Sequence, residues 1–202
     1  QIMRKYKNVF ILSSSADADR LWSIYEAYKS SGRPLLCDSY QKKMLDIIRD
    51  GYDPGKPLYR FKTDDIFDIK THWANSKLVK WMHDKGFTML IRRSDTFQRY
   101  LDQVLPCCAP EETCIVYSMF KGYIDPEHKA FNQNLYDFVN QFPNTVFCHT
   151  SGHASKECIE KVCSLINPAI AIIPIHKETS FDLIALPPEV KGKIYNDCTL
   201  SL

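Results

Sequence analysis

VFCHTSGHASKECIEKVCSLINPAIAIIPIH, residues 146–176, has the pattern strand, polar turn, helix, strand. The apolar, β-branched run Thr145-Val146-Phe147-Cys148 leads into it, and His149-Thr150-Ser151-Gly152-His153 supplies the turn. Over residues 155–167, Ile159, Val162, Cys163 and Ile166 follow the i, i+3, i+4, i+7 spacing of one helix face. Pro168 breaks that periodicity, and the apolar run 169–175 is short enough for a buried strand. A crossover of this kind joins parallel strands and is right-handed in nearly all known cases. It sets His153 and His176 just past the C-terminal ends of the two strands, the edge at which open α/β sheets bind ligands. The pattern predicts that both imidazoles share that edge.

Working outward, the same alternation runs through the rest of the chain. Strands are predicted over 9–12, 34–37, 87–91 and 114–118, and helices over 19–30, 38–48, 75–84, 95–104 and 127–140. Asp17 or Ser15 is placed to cap the first of these helices, and Asp38 or Ser39 the second. The acidic stretch 64–70 is ambiguous, and 51–57 is a Gly/Pro-rich loop. No hairpin signal separates the early strands. The expected fold class is α/β, with a mostly parallel sheet covered by helices on both faces. Pro187-Pro188 and Gly192 mark turns in a short closing tail.

The chain has 202 residues, 45% of them hydrophobic and 25% charged, which is ordinary for a globular protein. A formal net charge of +2 gives no whole-molecule electrostatic case for a nucleic-acid partner and leaves local basic patches open. No apolar stretch is long enough to span a bilayer and no signal peptide is visible, so no membrane association and a cytoplasmic location are expected. Of the eight cysteines, Cys37, Cys114, Cys148, Cys158 and Cys163 sit inside apolar runs and read as buried free thiols. The start, Gln1-Ile2-Met3, reads as a fragment whose N-terminal partner is missing.

The motifs also carry a family resemblance. HTSGHA (149–154), a helix, then NPAIAIIPIHKE (167–178) resembles the closing part of metallo-β-lactamase-fold hydrolases of the β-CASP branch, which includes ribonuclease J. Upstream, FILSSSADADRLWSIYEAYKSSGRPLLCDSYQKKML (10–45), FTMLIRRSD (87–95) and CIVYSMFKGY (114–123) resemble strands of the β-CASP domain, a Rossmann-like unit. The resemblance assigns residues 1–143 to a β-CASP-like domain. Residues 144–202 would be a C-terminal strand–helix–strand piece of the metallo-β-lactamase fold. The family's first metal motif, HxHxDH, is nowhere in the sequence. The resemblance therefore implies a missing N-terminal metallo-β-lactamase part. It also implies two divalent metal ions, zinc or manganese, in the full-length protein, with none held tightly by this chain and no activity from it alone.

By resemblance, His176 is one metal ligand, and His153 contacts the scissile phosphate and would be the catalytic acid. Thr150, Ser151 and Gly152 belong to the same phosphate-binding turn, where a glycine and exposed N–H groups at a helix start favour an anion. Taken alone, His153 reads as a cap at a helix start and His176 as a strand-end histidine bonded to backbone. Ser14 and Ser15 with Arg20 form a second strand-to-helix turn bearing hydroxyls and a guanidinium, a phosphate contact by resemblance and ordinary capping otherwise. Ser118 and Lys121 lie in a third, SMFKGY, where Phe120 and Tyr123 can stack bases or fill core. Arg92-Arg93 adds charge to the same edge. His149 and His153 span a strand and a turn, which argues against a metal pair. His72, His83 and His128 lack a constellation.

The leading expectation is part of a metal-dependent phosphodiesterase acting on RNA or another phosphodiester. The alternatives are a non-catalytic nucleic-acid or anion-binding module, or a doubly wound binder of a nucleotide or small anion. GxGxxG and GxxxxGK[ST] are both absent, which weighs against the last. The oligomeric state, a homodimer among the options, stays open.

Overall fold

The computed structural model describes residues 1–51, 58–72, 75–149, 156–173 and 186–194. In chain order the first part runs α1 (Ile2–Lys5), β1 (Asn8–Ser13), α2 (Ala18–Lys29), β2 (Leu35–Cys37), α3 (Ser39–Asp50), β3 (Ile66–Asp68), α4 (Ile69–His72), α5 (Ser76–Lys85), β4 (Phe87–Ile91), α6 (Asp95–Val104), β5 (Thr113–Ser118), α7 (Gln133–Val139) and β6 (Thr145–Phe147). The six strands form one sheet in the order β3-β2-β4-β1-β5-β6. All five pairings are parallel. The fold is thus α/β and Rossmann-like, as the alternation of patterns predicts.

Strand β1 lies inside the sheet, paired with β4 from Asn8↔Phe87 to Leu12↔Ile91 and with β5 from Asn8↔Thr113 to Ser13↔Ser118. Every one of its residues is buried. Successive side chains point to opposite faces, so Phe10 and Leu12 enter one core and Val9 and Ile11 the other. This is why the strand reads as a continuous apolar run. The connections that step toward β3 use α2 and α3, whose Leu21, Tyr25 and Leu45 lie in the second core. Those that step toward β6 use α5, α6 and α7, whose Leu78, Phe97, Leu101 and Phe138 lie in the first. Crossovers of a single hand require that division. It also means that the chain leaves β1 and β5 in opposite directions on opposite faces. Their C-terminal ends are therefore the topological switch point, the place at which α/β sheets bind ligands.

Local chemistry fixes the helix starts. Asp17, Asp38, Asn75, Ser94 and Asn132 each accept a backbone N–H from the first turn of the helix that follows, the standard N-cap role. Gly86 ends α5 at φ +75° and ψ −170°. A Cβ there would meet the Lys7 carbonyl oxygen at 2.0 Å, while the next residue, Phe87, donates its N–H to that same oxygen at 3.1 Å.

Several elements differ from the sequence expectation. Strand β3 falls in the ambiguous acidic stretch and has only three residues. Helix α7 begins at Gln133 rather than near 127, because 125–131 closes two successive turns, His128 N–H to Asp125 and Phe131 N–H to His128. The strand at Thr145, which the sequence groups with the C-terminal segment, pairs with β5 as β6. The cysteine expectation is corrected as well. Cys37 and Cys114 are buried, but Cys148 and Cys158 are exposed and Cys163 is half-buried. All cysteines among the described residues are free thiols. An apolar neighbourhood in sequence does not bury a residue that follows a short edge strand or faces outward on a helix.

Contacts divide the chain into residues Gln1–Thr150, which hold the sheet, and Ser151–Leu202. Within the latter, α8 (Lys156–Ile166) and α9 (Pro188–Lys191) pack through Ile159, Cys163, Leu186 and Val190. Val162 and Ile166, expected on the same buried face, are exposed. A full strand was expected over 169–175. Within its described part, Ile172 makes one isolated parallel bridge to Ile194, and Ile170 and Ile173 are exposed. Asn167 at φ 42° and Pro168 turn the chain out of α8. Among the described residues no helix is long and apolar enough to cross a membrane.

Two outcomes follow from the packing. The Thr88 hydroxyl is fully buried on β4 without a partner. Thr88→Val keeps the shape and removes that desolvated group, and urea denaturation should show a gain of about 1 kcal/mol. Gly86→Ala should cost about 1–3 kcal/mol in the same assay, since its backbone region is open essentially to glycine alone.

Candidate functional site at the C-terminal sheet edge

The ends of β1 and β5 come together at Ser13↔Ser118, and the Arg20 side chain from α2 reaches across them. Its Nε donates to Asp17 Oδ2 at 2.9 Å and its Nη1 to Ser118 Oγ at 2.8 Å. The same Nη1 lies 3.1 Å from His149 Nδ1, just past β6. Ser118 Oγ in turn donates to the Cys148 carbonyl, and Cys148 N–H donates to the Tyr117 carbonyl at 3.1 Å. One guanidinium thus ties the ends of three elements at the switch point. Its side chain is only 12% exposed, and a charge so far out of water is retained where hydrogen-bonding partners surround it. Ser14 is exposed and Ser15 half-buried beside it, on the turn into α2. The Ser14 carbonyl accepts the Asp17 N–H at 3.4 Å, and its hydroxyl accepts the Ala16 N–H at 3.4 Å.

Burial raises the Asp17 carboxyl. Hydrogen bonds from the Arg20 side chain and backbone, with the Arg20 and His149 charges, outweigh that and hold it below the usual carboxylate range. Burial pushes the Tyr117 phenol up to about 12, helped by the neighbouring Tyr123. Tyr117 therefore stays a hydrogen-bond donor at neutral pH, and its Oη donates to the Phe120 carbonyl at 3.0 Å. That bond anchors the SMFKGY loop. Gly122 packs so closely in it that a Cβ would lie 2.4 Å from the Phe120 ring and 2.6 Å from His128 Nδ1.

The edge carries a second polar group toward β3. Asp38 accepts from Arg92 Nε, and Ser39 Oγ donates to Asp68 Oδ2 at 2.6 Å. The Arg92 guanidinium lies 4.7 Å from the Tyr40 ring centroid. Its charge is therefore matched by Asp38 rather than added freely to the edge, as the Arg92-Arg93 pair suggests in sequence.

Of the residues singled out in sequence, the structure joins Arg20 and Ser118 directly, sets Ser14 and Ser15 on the adjoining turn, and leaves Lys121 exposed on the loop after β5. Thr150, Ser151, Gly152, His153 and His176 lie outside the described residues. Sequence reasoning reads Asp17 only as a cap and considers His149 only as half of a metal pair, which it rejects. Its rejection as half of a metal pair hid the simpler signal that it directly follows a strand. His128, which lacks a constellation in sequence, packs its ring against Phe120 with centroids 5.1 Å apart. Among the described residues no group of three or more His, Cys, Asp or Glu side chains is placed to hold a metal ion.

The Asp17 carboxylate has a pH signature. Its folded value lies below the unfolded one, so its contribution is complete above the ordinary carboxylate range and is lost as pH falls through the depressed value. Asp17→Asn keeps a capping side chain and removes the charge. Because the side chain is 36% exposed, solvent screening limits the cost at pH 7 to about 0.5 kcal/mol. Urea denaturation against pH should show that difference vanishing once the wild-type carboxylate is protonated.

No protein-family model matches this chain, and a search of curated proteins gives no significant match.

Proposed function

We propose that this chain supplies the phosphodiester-binding edge of a hydrolase resembling the β-CASP nucleases, with RNA as the substrate class. The observation that carries the reading is the Arg20 guanidinium held at the β1/β5 switch point, with Ser118, His149 and the Ser14-Ser15 turn around it. Hydroxyls and a guanidinium gathered at one sheet edge are groups that recognise phosphate oxygens, and the Arg20 charge is here also matched by Asp17, as that of Arg92 is by Asp38. Lys121, exposed on the next loop, adds a positive charge. In this reading His153 contacts the scissile phosphate and His176 is one metal ligand, as the resemblance implies. The described residues do not by themselves fit the two metal ions of such an enzyme, and HxHxDH is absent from the sequence. What the described residues contribute is binding and orientation of the phosphodiester. The free thiols support a reducing, cytoplasmic setting.

The test is fluorescence anisotropy with a labelled single-stranded RNA 12-mer and the 202-residue chain. Arg20→Lys, which keeps the charge and loses the fork, should weaken binding by roughly tenfold, in line with one charge-assisted hydrogen bond. Lys121→Ala should reduce the slope of log affinity against log salt by about one. No binding by the wild-type chain, or identical salt slopes for wild type and Lys121→Ala, would count against the reading.

A further inference from the structure

Three aromatic rings stand in solvent at one corner of the C-terminal edge. Phe147 on β6 is 53% exposed, and Phe120 and Tyr123 on the loop after β5 are 46% and 39% exposed. They form a connected group. Lys121 Nζ lies 5.5 Å from the Phe147 ring centroid, joining the strand to the loop, and Phe120 and Tyr123 meet edge to face at 5.4 Å. Each part of the group is held by buried structure. Phe147 rests edgewise on the fully buried Tyr117 at 6.0 Å. Phe120 is fixed by the Tyr117 hydroxyl on its carbonyl, by His128 against its ring and by the tight fit at Gly122. The chain reverses at Asn132, whose N–H donates to the Tyr123 carbonyl at 2.8 Å. Exposed rings on a preformed frame lose little freedom when a flat partner lies on them.

The group is also contiguous with the phosphate-binding cluster. Phe147 lies two residues before His149, and Phe120 two after Ser118. A partner that presents flat apolar rings together with a regular run of negative charge fits both features at once. That is a single-stranded nucleic acid, since the base faces of a duplex are already stacked on one another. We infer that Phe147, Phe120 and Tyr123 form a stacking platform for the bases of single-stranded nucleic acid, with Lys121 pairing the intervening phosphate. The inference rests on the reading of this edge as a phosphodiester site and adds which residues take the bases. Stacking on aromatic side chains tolerates any base, so the platform supplies affinity without sequence readout.

The experiment compares a labelled oligo(rA) 12-mer with an abasic phosphodiester of equal length and charge, by anisotropy on the 202-residue chain. Phe147→Ala should weaken oligo(rA) binding about tenfold, the loss of one stacked base, and leave abasic binding within twofold. Phe147→Tyr should retain wild-type affinity for both. Arg20→Lys should weaken both alike. If Phe147→Ala leaves oligo(rA) binding unchanged while Arg20→Lys lowers it, the platform is wrong and the phosphate site stands. If Phe147→Ala lowers binding of both oligonucleotides equally, its effect is structural and the platform is likewise overturned. If the wild-type chain binds neither, the phosphodiester reading fails and takes the platform with it. Should Phe147→Ala instead convert a dimer to a monomer in sedimentation without altering oligo(rA) affinity, the rings are a protein interface.

Discussion

The whole sheet depends on β1 being hydrogen-bonded on both edges and buried on both faces. With β4 on one side and β5 on the other, its backbone groups pair within the sheet rather than with water. With Phe10 and Leu12 in one core and Val9 and Ile11 in the other, no residue between Asn8, whose amide bonds Thr113, and Ser13 can be polar at low cost. That last position is where the apolar demand ends and chemistry can begin. The serine turn, the capping Asp17 and the start of α2 all follow from the chain having to leave a sealed strand at that point. The same constraint acts on β5, which is apolar from Cys114 to Val116 and whose Ser118 faces Ser13 across the ladder.

Much of this was legible in sequence because double burial writes a strong signal. FILS, FTMLI and TCIVYS have no polar interior apart from threonine, and each is bounded by turn residues. The elements that escaped have weak signals for physical reasons. Strand β3 is three residues that follow Asp64-Asp65 and end in Asp68, whose carboxylate takes the Ser39 hydroxyl and the Lys70 N–H. The region before α7 has helical composition, but Asp125-Pro126 and the bonds of 125–131 spend its backbone on turns. Exposure of Cys148 and Cys158 could not be read because hydrophobic neighbours say nothing about which side of an edge element meets water.

The site was legible as a collection of residues and not as a constellation. Arg20 and Ser118 could each be named from a strand-end turn, but their contact spans 98 residues. It exists because β5, rather than β2, is the neighbour of β1. Local pattern carries no information about strand order, so no reading of periodicity places that guanidinium. Nor does local pattern reveal the Arg20 contact of His149, whose partner lies 129 residues upstream. Recognition of charged groups at a sheet edge is a property of topology, with the residue types only setting what the topology can use.

The two outer strands, β3 and β6, are each three residues long, and this brevity bears on how the protein keeps company with itself. An unpaired strand edge is a template on which another chain can extend the sheet, and its hold grows with the number of backbone groups it offers. Strands this short offer very few. Within residues Gln1–Thr150, the long apolar strands β1, β4 and β5 are interior to the sheet and paired on both edges. The sheet thus keeps its longest apolar strands away from its edges and offers a newcomer ladders of only three residues.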